Sequence, residues 1–66
     1  MKKKIEEKLY KMWLFREEAK AGSTIYAIRN ARLSGAIDLL KAMGYKVDFN
    51  PLVENENPFT VKDIEE

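Results

Sequence analysis

Between Lys2 and Met43 the chain has one plausible break in otherwise helix-compatible sequence, Gly22-Ser23-Thr24, and that break governs what the rest can build. Lys2 to Ala21 contains no Pro or Gly and is rich in Lys, Glu, Leu, Met and Ala, residues that lose little on entering a helix. Ile5, Leu9, Met12, the stem of Arg16, and Ala19 recur at the three- and four-residue spacing of one helical stripe. Gly22 is suited to a left-handed C-terminal cap and Ser23 or Thr24 to an N-cap, so the pattern predicts helices over 2–21 and 24–43 folded into a hairpin. One continuous helix through Gly22 is the alternative.

The second helix reads as the core. Its apolar arc takes in Ile25, Ile28, Leu33, Ala36, Ile37, Leu39, Leu40 and Met43, while Asn30, Ser34, Asp38 and Lys41 form its solvent strip. Ala31, Gly35 and Ala42 make a ridge of small residues, which predicts close packing against another helix. Gly44 is placed to stop the helix as a left-handed cap. Tyr45-Lys46-Val47-Asp48-Phe49 then alternates with period two, as a short strand or extended arm does. A lone strand leaves its ladder groups unpaired, so this segment must pair with Phe59–Val61, pair across a subunit interface, or pack as an arm. Residues 50–66 read as a loop-rich acidic tail, in which Thr60-Val61-Lys62-Asp63 resembles a capping box ahead of a last helical turn. The expected fold class is therefore all-α or nearly so. Residues 1–49 form the hairpin and arm, and residues 50–66 the tail of the same single domain.

Size makes such a fold marginal. The chain has 66 residues and a mass of 7.7 kDa, and Leu, Ile, Val and Phe supply about a quarter of it, enough to fold. A domain of this size buries only about 60% of its unfolded surface, and many such domains rely on disulfides, a metal or a partner subunit. The chain has no Cys and no His, which excludes disulfides, thiolate clusters and imidazole metal sites. Oligomerisation is left. A second apolar strip on the first helix, Tyr10, Leu14 and Ala21, lies opposite the first, and Met12-Trp13-Leu14-Phe15 points all the way round. A homo-oligomer, at least a dimer, is therefore expected, with Tyr10, Trp13, Leu14, Phe15 and Gly35 at a partner interface.

The same absences remove Cys–His pairs, Ser–His–Asp triads and the usual neutral-pH proton shuttle. No Gly-rich phosphate loop occurs, and neither Glu17-Glu18 nor Glu54 with Glu56 has the spacing of a fixed ligand set. The expectation is a protein that is not an enzyme, with no catalytic residues, no cofactor and no metal.

Net charge of +1 hides a segregation: residues 1–21 carry +3, residues 22–46 carry +3, and residues 47–66 carry −5. Arg29 and Arg32 fall inside the apolar arc, where a guanidinium must find a partner. That partner is either an acid (Glu17, Glu18, Asp48 or the tail) or a bound anion held by Arg29 and Arg32, with Tyr26 to stack and Asn30 to hydrogen-bond. Lys2-Lys3-Lys4 reads as a solvated start, no segment is apolar enough to span a bilayer, and no signal-peptide core follows. The function expected first is a small interaction protein that binds and inhibits or regulates a larger partner, of the kind bacteriophages and mobile elements supply, acting in the cytoplasm of a cell or host. Sequestration of a small anion such as a nucleotide is the first alternative, and a nucleic-acid-binding regulator the second.

Overall fold

A computed structural model describes residues 1–64. Four elements follow in chain order: α1 (Lys2–Glu17), α2 (Thr24–Ala42), β1 (Tyr45–Phe49) and β2 (Phe59–Asp63). The expected all-α class is thus corrected to a small mixed α/β fold, a helix pair with a two-stranded antiparallel sheet packed on it.

The correction comes from the C-terminal segment. Phe59 and Val61 are buried while Thr60 and Lys62 are exposed, the period of two that a half-buried strand requires. A capping-box reading of Thr60–Asp63 overlooked that alternation. Of the extended-arm options for Tyr45–Phe49, the one realised is pairing with Phe59–Asp63, with Phe49 opposite Phe59, Val47 opposite Val61 and Tyr45 opposite Asp63. The ladder runs one bond past each end: the Asn50 N–H donates to the Pro58 carbonyl, and the Ile64 N–H to the Gly44 carbonyl. Asn50 and Asn57 shape the connecting loop by accepting from the N–H groups of Leu52 and Phe59, two residues on. Residues 65 and 66, which the expected last helical turn includes, lie outside the described residues.

Among the described residues the buried core cluster is Leu9 of α1, Leu33 of α2, and Phe59 and Val61 of β2. Half of the core therefore comes from the segment that reads as a tail. Ile5, Tyr10, Met12, Trp13, Ala36 and Ile37 are among the partly buried residues that pack around it.

The helix ends follow local rules. The Ser23 hydroxyl accepts from the Tyr26 N–H at 3.1 Å, an N-cap bond. Gly44 takes a φ of 95° just past α2, where a Cβ would be strained. α1 stops at Glu17, four residues short of the expected end. The Ala19 N–H turns back to the Arg16 carbonyl, and the Ser23 N–H bonds the Lys20 carbonyl in a separate turn that carries Gly22 at a φ of 84°. Gly22 thus serves that turn rather than capping α1.

Candidate functional site

Leu9 and Leu33 face each other across the helix pair, which leaves two flanks. At about 100° per residue, Tyr26, Asn30, Ser34, Ile37 and Lys41 fall on one flank of α2, and Ile25, Ile28, Arg29, Arg32, Leu39 and Met43 on the other. The hairpin covers the first flank and leaves the second bare.

On the covered flank Trp13 stacks with Tyr10 at 6.1 Å and meets Phe49 at 6.0 Å, and Phe49 meets Phe59 at 5.0 Å. These contacts hold the sheet to α1. Beside them lies an open cleft of about 380 Å³, lined by Trp13, Phe49 and Phe59 on the apolar side and by Arg16, Asn30, Asp38 and Lys41 on the polar side. Arg16 is fixed there: it donates to the Asn30 amide oxygen at 2.9 Å and to the Glu17 carboxylate at 2.7 Å, and its guanidinium lies 5.3 Å from the Tyr26 ring centre. Its Nε is buried without a partner. The strip Asn30, Ser34, Asp38 and Lys41, read as plain solvent surface, lines this cleft. Nothing within the strip itself reveals that, since Phe49 and Phe59 reach it only through the hairpin.

On the bare flank Arg29 stacks on Phe15, with its guanidinium carbon 3.5 Å from the ring centre, and donates to the Phe15 carbonyl at 2.7 Å. That carbonyl lies in the last turn of α1, where no helical N–H is left to bond it. Among the described residues no acid pairs with Arg29 or Arg32. Arg29, Arg32, Lys8, Met12 and Phe15 line a hollow of about 250 Å³. An apolar groove of about 330 Å³ runs on from it between the helices, with Met1, Ile5, Met12, Leu39 and Leu40 along it and Lys4 and Lys8 at its rim. Among the described residues no strand residue and no acid lines either. Leu39 and Met43, toward the C-terminal end of this flank of α2, are 62% and 63% exposed, and Phe15, Ile25 and Ile28 are exposed toward its N-terminal end.

The residues expected to gather around an anion are therefore divided between the flanks. Tyr26 and Asn30 attend Arg16; Arg29 and Arg32 attend Phe15 and Lys8. Of the expected interface residues, Tyr10 and Trp13 are half-buried in contacts within the chain, whereas Leu14, Phe15 and Gly35 are exposed. A Cβ built on Gly35 meets nothing within 4 Å, so the small-residue ridge packs against no helix of its own chain. Among the described residues no three acids cluster to hold a metal ion, and no helix is long and apolar enough to cross a membrane. No family model, no curated protein and no solved structure matches the chain.

Proposed function

We propose that this chain is a non-enzymatic binding protein that docks onto a larger protein partner, and inhibits or regulates it, through the bare flank of its helix pair. The observation that carries the reading is the coincidence on one flank of exposed large apolar side chains with Lys4, Lys8, Arg29 and Arg32 and, among the described residues, no lining acid. A small monomer rarely leaves such a patch uncovered without a use for it. An apolar groove between two helices fits an amphipathic segment, and a cationic rim selects one with acidic edges. Stacked Arg and Phe side chains are among the groups that dominate interface energies. Sequestration of a nucleotide draws less support, because the ring and amide expected to assist Arg29 and Arg32 lie on the other flank. The lack of cysteine agrees with a cytoplasmic site of action.

Capture from a lysate of the source cell tests this. Wild-type chain should retain a stoichiometric acidic protein that Leu39→Asp and Arg32→Glu variants release, both side chains being exposed and outside the buried core. Identical captures by all three chains would refute the assignment of the flank.

A further inference from the structure

We propose that the outer edge of β1 is a self-recognition site, through which two copies of this chain join their hairpins into one four-stranded antiparallel sheet. The two edges of the hairpin differ. Along β2 the outward Phe59 N–H donates to the Asn57 amide oxygen at 2.9 Å and the outward Val61 N–H to the Glu6 carboxylate at 2.8 Å, so side chains already occupy two of this edge's donors. Because Val61 turns its N–H outward, the 47–61 pair is of the non-hydrogen-bonded kind, and Tyr45, Val47 and Phe49 point their N–H and C=O groups away from β2. No group among the described residues bonds them. Side chains occupy donors along the outer edge of β2, and none along that of β1 among the described residues.

The sequence of the open edge complements itself. Antiparallel pairing of two β1 strands centred on Val47 sets Tyr45 against the partner's Phe49, Lys46 against the partner's Asp48, and Val47 against the partner's Val47. Aromatic–aromatic and opposite-charge pairs are the cross-strand combinations that stabilise a sheet. Within its own hairpin Lys46 has no such match: it stands opposite Lys62, and Asp48 stands opposite Thr60. Neither residue makes an ion pair among the described residues, and both are exposed. The charges that lack a counterpart across β2 are those that find one across a twofold axis. Three facing residue pairs supply about six main-chain hydrogen bonds. α2 packs on β1, and the outward back of that helix carries Ala27, Ala31, Gly35 and Ala42, small enough for the α2 helices of two joined copies to lie close.

Sedimentation equilibrium of the full chain at high-micromolar concentration, with single charge variants, tests the site. Wild type should be a dimer. Lys46→Asp places acid against acid at both symmetry-related contacts, Asp48→Lys places base against base, and each should weaken the dimer about tenfold or more. An equimolar mixture of the two variants pairs opposite charges again and should recover a heterodimer close to wild-type affinity, which a folding defect would not permit. A monomeric wild type, a dimer indifferent to both substitutions, or a mixture no tighter than its components would overturn the proposal.

Discussion

Glu6 shows how far a single side chain reaches in a chain this small. On α1 it stands one turn before Tyr10 and outside the Ile5, Leu9 and Met12 stripe, yet its carboxylate accepts the Val61 N–H and its carbonyl accepts from the Asn57 amide at 2.9 Å. Both bonds tie β2 and its loop to the first helix, across 55 and 51 residues of sequence. Removing a charged acceptor from a backbone N–H at a part-buried site costs about 1.5–3 kcal/mol. Glu6→Ala should accordingly lower the urea unfolding free energy by about that amount, whereas Glu7→Ala, at an exposed neighbouring position, should change it by less than about 0.5 kcal/mol. By contrast, the Lys2–Asp63 bridge at 2.7 Å joins two well-exposed side chains and adds at most about 1 kcal/mol. No local pattern foretells Glu6, because its partners exist only once the hairpin has folded back.

At the scale of elements, local chemistry was a good guide to breaks and a poor one to lengths. Ser23 and Gly44 act where their side-chain and backbone preferences place them, and Ile5, Leu9, Met12 and Arg16 of the expected stripe form the inward face of α1, Ala19 lying beyond its end. Past Glu17 the Phe15 carbonyl is taken by Arg29 and the Ala19 N–H turns back to the Arg16 carbonyl, so the helical ladder does not continue. That competition is tertiary and leaves no trace in helix propensity. The small-residue ridge reads as a packing seam, but Gly35 faces open space within its own chain. An exposed helical Gly→Ala replacement gains about 0.5–1 kcal/mol. Gly35→Ala should therefore raise the stability of dilute protein by about that much, measured by thermal or urea melting; a loss would reveal a close contact at that position. Ser23→Ala should cost about 1 kcal/mol by deleting the cap to Tyr26.

At the scale of the whole molecule, the division into a basic body and an acidic tail describes charge correctly and architecture incorrectly. Phe59 and Val61 close the core, Phe49 and Phe59 clasp Trp13, and the flank left bare by the hairpin is the basic, apolar one offered to a partner. Two apolar strips on α1 were legible as surface in need of cover; that the chain's own hairpin packs on Tyr10 and Trp13 while Leu14 stays exposed was not, since pairing over a ten-residue separation depends on two weak strand signals meeting. A chain cut after Pro58 keeps the sequence of both helices but loses Phe59 and Val61, half of the core cluster. It should lose cooperative unfolding, observed as a broad thermal transition by circular dichroism.

Residue-resolved amide exchange on the full chain tests the central claim most directly, that residues 59–63 are structural core rather than tail. Lys46, Asp48, Thr60 and Lys62 occupy the hydrogen-bonded pairs of the ladder, and their amides should exchange as slowly as those around Leu33 in α2. Val61 should join them through Glu6. Fast, unprotected exchange throughout 59–63, with the two helices still protected, would contradict the fold and leave a helical hairpin alone as the domain.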